Sequence, residues 1–429
     1  MKKLLVLLVD LLIIEIILVA VLFVNSRLGS CGENSNPDIN SLKNHKISNI
    51  DTASIERDLY QRGYGDALQK IKAVVFNKQP ATSEMKNITV SASGITVNTD
   101  WYFWYTMFDD WKFAGAHPSW GLFDSMDPAI NERQIRDAQY YLGDDSIILL
   151  VWNGKANGRW MEERIDEFLK VKDQLGCQMK IGFLWGATPD VGGYIFESDG
   201  KIDFSLPENQ ISFANDINHL QDKYLNRPDI YRVNGKFVLY NWVSQIKNFS
   251  YAKKIAEAIC PPGIYYMDGE NIFTSPDPSN TYPDIDERLL NSDAVMAYLC
   301  YSADLIKKHG TLNEEYIYDL MLIQMQWIDY MRRNAPWVEY VPVVTFNFDD
   351  THLLDRQDAN GNPIHPAMFS TPESRVLLMR ATIALINEMR LQRHIRVGTW
   401  SEFWEGSAIA DSTEYGKDLL QTVKTELGK

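Results

Sequence analysis

Two glutamates lie three residues apart near the end of the chain, in the segment TWSEFWEGSAI at residues 399–409. In a tight turn or a first helical turn, this spacing brings Glu402 and Glu405 to one side of the backbone. Neighbouring carboxyls hold different protonation states, because like charges push their pKa values apart. Apolar rings beside them would raise the pKa of one carboxyl toward neutral. Cleavage of a glycosidic bond needs such a pair, with one acid for the leaving oxygen and one base or nucleophile.

The elements that must position this pair alternate along the chain. Continuous apolar runs predict strands at 101–105, 146–152, 178–185, 236–242, 263–268, 293–300, 340–347 and 395–400. Helical periods predict helices at 54–76, 129–142, 161–175, 210–225, 251–259, 313–334, 373–392 and 416–427. This alternation predicts an α/β fold, a (β/α)8 TIM-like barrel. A doubly wound open sheet is the competing fold, but no glycine-rich phosphate loop follows the first strand.

In such a barrel the chemistry lies at the carboxyl ends of the strands. Aromatic, amide and acidic side chains meet at that rim, a mixture that favours sugar binding over phosphate or hydride chemistry. The candidate substrate-binding residues are Trp104, Tyr105, His117, Trp152, Asn153, Trp185, Asn241, Trp242, Asp268, Glu270, Tyr298, Asn347, Asp349, Trp400 and Trp404. For each of them the alternative is a structural role in core packing or loop capping.

Three segments carry a resemblance to a known family. They are TWSEFWEGSAIADSTEYG at 399–416, HPSWGLFDSMDP at 117–128 and YRVNGKFV at 231–238. In this order and spacing they resemble segments of the glycoside hydrolase family 99-like barrels, which include endo-α-mannosidases and endo-α-mannanases. The resemblance covers about residues 100–420.

The resemblance implies a specific chemistry. Family 99 enzymes retain the anomeric configuration without a carboxylate nucleophile, through a 1,2-anhydro sugar. By position, Glu402 is then the base that acts on the sugar 2-hydroxyl, and Glu405 is the acid/base at the departing oxygen. The resemblance implies an endo-acting hydrolase of α-linked, mannan-like polysaccharide or glycan, with no metal and no other cofactor.

The sequence also departs from the family pattern. Ser401 stands where the family has Asn, Trp404 stands where it has His, and residues 409–412 read IADS. Both carboxylates are kept, so the general chemistry is expected to be kept. The changed neighbours leave the sugar open, and an α-glucan, as for the related family 71-like enzymes, is the alternative substrate. A carbohydrate-binding pseudoenzyme and an envelope glycan transglycosylase are the alternative functions.

The sequence of the N-terminus predicts a segment that targets the chain to a membrane. Lys2 and Lys3 precede an apolar run at 4–24 that is long enough to span a bilayer, although Asp10 and Glu15 interrupt it. Residues 1–30 are therefore predicted to be a signal anchor or a lipoprotein signal, with Cys31 as the lipidated residue in the second case. Either way, we expect a membrane-anchored protein whose catalytic domain lies outside the cytoplasm, at the cell surface or in the periplasm.

The remaining domain plan follows from composition. Residues 31–55 are predicted to be a linker, residues 56–100 an N-terminal helix and lead-in, and residues 101–429 the catalytic barrel. The chain holds 42 Lys and Arg against 57 Asp and Glu, a net charge of −15. This charge makes nucleic acid a poor partner.

Overall fold

The structure is a computed structural model, and its described residues do not cover the whole chain. They are 50–76, 91–106, 110–154, 159–186, 193–198, 200–241, 246–269, 271–274 and 285–429. The predicted anchor (1–30) and most of the predicted linker (31–55) lie outside them. Within the described ranges, no helix combines the length and the apolar character needed to cross a membrane.

In the described part of the chain, nine parallel strands form the centre of the fold. They are β1 (Thr96–Trp101), β2 (Ile147–Trp152), β3 (Lys180–Trp185), β4 (Lys236–Asn241), β5 (Ile264–Asp268), β6 (Ala294–Val295), β7 (Glu339–Tyr340), β8 (Val343–Val344) and β9 (His394–Val397). Neighbouring strands pair in the order β7-β6-β5-β4-β3-β2-β1-β9-β8. Strand β2 (IILLVW) is buried along its whole length, as expected for a strand covered on both faces.

The two ends of this order are neighbours in the chain. Only Val341 and Pro342 separate β7 from β8, so these two short strands are halves of one segment. The Val341 N–H donates to the carbonyl of Val295 at 2.9 Å, and the Arg396 N–H donates to the carbonyl of Pro342 at 2.9 Å. Proline has no N–H to give to a ladder, which interrupts the strand there. The sheet therefore curls until its edges meet, the connectivity of a TIM-like (β/α)8 barrel.

Helices surround this sheet. They are α1 (Thr52–Leu59), α2 (Gly65–Phe76), α3 (Pro128–Leu142), α4 (Arg159–Gln174), α5 (Pro207–Lys223), α6 (Ser250–Ile259), α7 (Ile285–Asn291), α8 (Ala303–His309), α9 (Glu314–Asn334), α10 (Pro372–Glu388) and α11 (Asp418–Leu427). Local sequence explains where several begin. Asp127 caps α3 by accepting from the Ala129 N–H, and Thr371 and Ser374 form a capping box at α10.

The first strand differs from the prediction. Of the aromatic run 101–105, only Trp101 belongs to β1, and the other four residues follow the strand, so the predicted domain boundary at residue 101 falls at the end of the strand. The strand is polar where a barrel strand is usually apolar, because Asp100 is fully buried and pairs with the buried guanidinium of Arg396 on β9. This ion pair joins the neighbouring strands β1 and β9 in the buried interior. Because it places a charged residue in β1, the sequence of this strand is not a continuous apolar run, the pattern that predicts a buried strand.

Candidate active site

The turn after β9 places the two glutamates. The backbone N–H of Glu402 donates to the Thr399 hydroxyl at 2.9 Å, which holds the start of the turn. The N–H groups of Ser407 and Ala408 both donate to the carbonyl of Glu402, at 3.2 and 3.1 Å. The turn also passes through Gly406 at φ 59°, a left-handed conformation that favours glycine. The backbone thus folds back on itself around the pair.

Each carboxylate has its own hydrogen-bond donor. The backbone N–H of Trp404 donates to Oε1 of Glu402 at 3.0 Å. The Tyr298 hydroxyl, from the segment after β6, donates to Oε2 of Glu405 at 2.9 Å. The Tyr102 hydroxyl donates to that of Tyr298 at 3.3 Å. Strand ends from three parts of the barrel therefore contribute to one cluster.

Both carboxylates line the same cavity, whose volume is about 510 Å³. The lining residues are Trp104, Phe113, Tyr298, Leu353, Leu354, Asp355, Arg356, Glu402, Trp404 and Glu405. The volume lies in the range of small-molecule sites. Glu402 is buried, whereas Glu405 is partly exposed.

Burial dominates the electrostatics of this pair. It raises the pKa of Glu402 well above the usual range, and the charge of Glu405 raises it further. Burial also raises the pKa of Glu405, but the Tyr298 hydrogen bond and the Arg356 charge oppose this increase. In the free site Glu402 therefore holds a proton more strongly than Glu405.

One wall of the cavity is aromatic. The rings of Trp104 and Trp404 are stacked, with centroids 5.4 Å apart and planes 20° apart. The Phe403 N–H donates to the Tyr105 hydroxyl at 2.8 Å, which fixes the turn that carries Trp404. A flat indole face of this kind is a good contact for the C–H face of a sugar ring.

The architecture is similar to that of solved glycoside hydrolase structures. A glycoside hydrolase-like protein superposes with a TM-score of 0.56 at 16% identity, covering 78% of this chain and 94% of that one. The GH99 endo-α-mannosidase from Bacteroides thetaiotaomicron in complex with BIS-TRIS-propane gives 0.52 at 15% identity, covering 78% and 96%. A second structure of that enzyme gives 0.52 at 13% identity, covering 77% and 96%.

These likenesses confirm, at the level of the fold, the resemblance that the three sequence segments predict. The sequence by itself matches no protein-family model and no curated protein.

The structure brings only some of the predicted residues to the cavity. Five of them line it: Trp104, Tyr298, Glu402, Trp404 and Glu405. Tyr105 is buried just behind this wall, where its ring stacks on Trp111. Trp242 and Glu270 lie outside the described residues.

Three predicted tryptophans do not line this cavity, because they are buried in the barrel. Trp400 stacks on Trp101 and donates to Gln134. The Trp185 indole donates to Asp216 at 3.3 Å, and Trp152 is 1% exposed. A tryptophan at a strand end and a core tryptophan have the same sequence signature, so the sequence could not separate them.

Five of the six predicted polar residues that the structure describes outside the cavity have hydrogen-bond partners within the protein. Both Asp268 oxygens accept from the buried Arg288 guanidinium, each at 2.7 Å. Asn241 donates to the Tyr266 hydroxyl at 3.2 Å. The partners of the other three follow in order: Asn347 accepts from Ser370, Asp349 accepts from Thr351, and His117 pairs with Glu414. Asn153 is half-buried after β2.

Sequence reasoning missed half of the cavity wall. Phe113 comes from a short 3-10 helix after β1, and Leu353, Leu354, Asp355 and Arg356 come from the loop after β8. No residue type or spacing in these segments signals a site, because loop conformation depends on tertiary contacts. Among the described residues, no cluster of three or more His, Cys, Asp or Glu side chains is placed to hold a metal ion.

Proposed function

We propose that this protein is a retaining, endo-acting glycoside hydrolase that cleaves α-linked glycans of the mannan type. The observation that carries the proposal is the shared cavity of Glu402 and Glu405 beside the stacked Trp104 and Trp404. Two carboxyls with raised pKa values can supply the acid and the base of such a reaction near neutral pH. The tryptophan wall supplies a surface for the sugar.

In the first step Glu402 takes the proton of the sugar 2-hydroxyl. The resulting oxygen attacks the anomeric carbon as the bond to the leaving oxygen breaks, and Glu405 gives its proton to that oxygen. In the second step water attacks the anomeric carbon and gives a proton to Glu405. The strained C–O bond opens, and Glu402 returns its proton to the 2-oxygen. Two inversions at one carbon give net retention.

Exposure supports this division of roles. Glu405 is partly exposed and so can meet the incoming water, whereas Glu402 is buried. The high proton affinity of Glu402 also helps a base to deprotonate a weakly acidic hydroxyl. In the free site Glu402 holds the proton more strongly than Glu405. The first step therefore requires substrate binding to reverse this preference, so that Glu405 is protonated and Glu402 is ionised. The opposite assignment of acid and base is therefore the competing mechanism.

Stereochemistry connects this mechanism to the sugar. Displacement by the 2-oxygen requires this oxygen to lie on the face of the ring opposite to the leaving group. An α-mannoside meets that condition, and an α-glucoside does not. An α-glucan substrate would therefore need a different mechanism, with one glutamate as the nucleophile.

We also propose that residues 1–30 hold the barrel at a membrane, outside the cytoplasm. The support is the basic start followed by the apolar run at 4–24. Fractionation of cells, followed by protease treatment of intact cells, tests this proposal. Recovery of the full-length chain in the soluble cytoplasmic fraction contradicts it.

The activity is tested with the purified full-length chain on a panel of α-mannans and α-glucans. Release of oligosaccharides from the mannans, with the α-anomer as the first product by NMR, supports the proposal. Binding without release indicates a carbohydrate-binding protein, and longer products indicate a transglycosylase. Release from the glucans alone contradicts the 2-hydroxyl mechanism.

A further inference from the structure

A buried carboxylate and a histidine form a pair near the cavity. Asp350 follows β8 and is 2% exposed, and Nδ1 of His365 lies 2.8 Å from its Oδ2. The other oxygen of Asp350, Oδ1, is buried and has no hydrogen-bond partner among the described residues. Burial of a carboxylate oxygen without a partner costs free energy of folding. Such a group therefore needs a specific explanation.

Two segments of the chain hold this pair beside Glu405. In the segment after β8, the N–H of Asp349, the residue before the buried acid, donates to the carbonyl of Glu405 at 2.7 Å. In the segment after β6, the hydroxyl of Tyr298 donates to Oε2 of Glu405 at 2.9 Å. The ring of Tyr301, in the same segment, lies edge-on to the His365 ring, with centroids 6.2 Å apart. The same two segments thus contact both Glu405 and the pair.

The position of the pair leaves it no direct role with the substrate. Neither Asp350 nor His365 lines the cavity, and Oδ1 of Asp350 is buried. An effect of the pair on the reaction must therefore pass through a residue that does line the cavity. Glu405 is such a residue, and both members of the pair act on its charge.

The charge of Asp350 favours a proton on Glu405. Burial raises the pKa of Glu405 most, and the negative charge of Asp350 raises it further, whereas the positive charge of His365 opposes the increase. Because Asp350 is buried and one of its oxygens has no donor, little screens its charge from its neighbours. The other titratable or charged groups around the Glu405 carboxyl are those of Tyr298, Arg356, Asp355 and Glu402.

Resting on the proposed function, we propose that Asp350 and His365 are positioning residues for the acid, in which Asp350 holds the proton on Glu405 and His365 limits this hold. The proposed first step needs a proton on Glu405, although Glu402 holds it more strongly in the free site. Asp350 belongs to the protein and not to the substrate, so its charge acts in the free site and in the complex alike. It therefore contributes to the reversal that substrate binding must complete.

Titration of the Glu405 carboxyl in the free full-length chain tests the pair without any need for activity. Difference infrared spectroscopy follows the protonated carboxyl in a Glu402→Gln background, so that the titration of a second, interacting glutamate does not obscure it. The signal that is lost in Glu402→Gln/Glu405→Gln belongs to Glu405. In this background Asp350→Asn should lower the pKa of Glu405 by about one unit, and His365→Gln should raise it by about half a unit.

The alkaline limb of kcat on a soluble mannan oligosaccharide is the second readout, because it reports the acid in the complex with substrate. It should move to lower pH in Asp350→Asn and to higher pH in His365→Gln. A second buried pair outside the cavity provides the matched controls, since Nε2 of His309 on α8 lies 2.7 Å from Oδ2 of Asp319 on α9. Asp319→Asn and His309→Gln should leave both readouts unchanged.

An unmoved pKa of Glu405 in either Asp350→Asn or His365→Gln, or a shift of the opposite sign, overturns the proposal. If Asp350→Asn does not fold, His365→Gln carries the test, because its side chain is 33% exposed and tolerates replacement better. Failure of the hydrolase proposal is a separate result. If the pKa of Glu405 moves as expected but the wild type cleaves no glycan, the pair acts on Glu405 and the hydrolase proposal is wrong. If the wild type cleaves glycans and the pKa does not move, the pair is not a positioning element.

Discussion

The hydroxyl of Tyr298 lies 2.9 Å from Oε2 of Glu405 and donates a hydrogen bond to it. This bond stabilises the ionised carboxylate, so it lowers the pKa of Glu405 against the increase that burial causes. The carbonyl of the same tyrosine accepts from the guanidinium of Arg396, which pairs with Asp100 inside the barrel. The buried ion pair thus supports the residue that sets the proton affinity of the proposed acid.

Tyr298→Phe should change the pH dependence of the reaction. Without the hydroxyl, the pKa of Glu405 rises, and the acid stays protonated to a higher pH. In the complex with substrate, where the proposed mechanism places the proton on Glu405, the alkaline limb of kcat should therefore move to higher pH. The maximal kcat should fall by about tenfold for the loss of one charge-assisted hydrogen bond. Tyr301→Phe is the control, because its hydroxyl donates to the carbonyl of Pro366 and not to Glu405. An unmoved alkaline limb in Tyr298→Phe would show that the tyrosine does not act through Glu405.

Activated leaving groups should distinguish the two glutamates. Glu405→Gln lacks the acid, so it should lose about 10²–10⁴-fold in kcat on a glycan and recover much of this loss on an aryl glycoside with an acidic phenol. Glu402→Gln lacks the base and should not recover. The measurement is kcat/KM against the pKa of the phenol for both variants. If only Glu402→Gln recovered activity on glycosides of acidic phenols, Glu402 would be the acid and Glu405 the base.

The raised pKa of Glu402 should also affect stability. The folded state keeps this proton at pH values where the unfolded glutamate has lost it, so its contribution to the free energy of unfolding falls as pH rises from the unfolded value of about 4.3. Glu402→Gln has no proton to lose at this position, so its free energy of unfolding lacks this pH dependence. At pH 8 the variant should be more stable than wild type by about 1–3 kcal/mol, the usual cost of a buried polar group that lacks full solvation. Below pH 4 the difference should vanish. Urea unfolding at both pH values measures it, and an equal difference at both would contradict the prediction.

Trp104→Ala should weaken binding of the sugar unit. Removal of one stacked indole takes away contact area and an aromatic surface, so KM should rise by about tenfold with a smaller effect on kcat. Trp337→Ala is the control, because this indole is 55% exposed outside the cavity. Steady-state kinetics on one soluble oligosaccharide checks both. Equal KM values for the two variants would show that the tryptophan wall does not bind the sugar.

How much of the site the sequence could predict depends on where each residue lies. The Glu402 and Glu405 pair was predictable because both partners lie within one turn, and Trp404 lies between them. Tyr298 was predictable because parallel strands bring their carboxyl ends to one rim. The direct contact between Tyr298 and Glu405 was not, since it joins residues 107 positions apart.

Other residues show why strand-end position is not enough. Asp268 ends β5 as predicted, but the guanidinium of Arg288 occupies both of its oxygens, and no local pattern connects these two residues. Leu354 is the opposite case, because an apolar residue in a polar loop gives no sign that it will line a cavity. Side-chain pairing and loop conformation are tertiary properties, and a single sequence records them only indirectly.

The most direct test of the account is oligosaccharide release from α-mannan by the wild type, Glu402→Gln, Glu405→Gln and Glu388→Gln. Glu388 ends α10 and pairs with Lys70, so it is the matched glutamate outside the cavity. The account predicts release by the wild type and Glu388→Gln, and a loss of at least about 10²-fold in each of the other two variants. Undiminished release by Glu402→Gln or Glu405→Gln would contradict it.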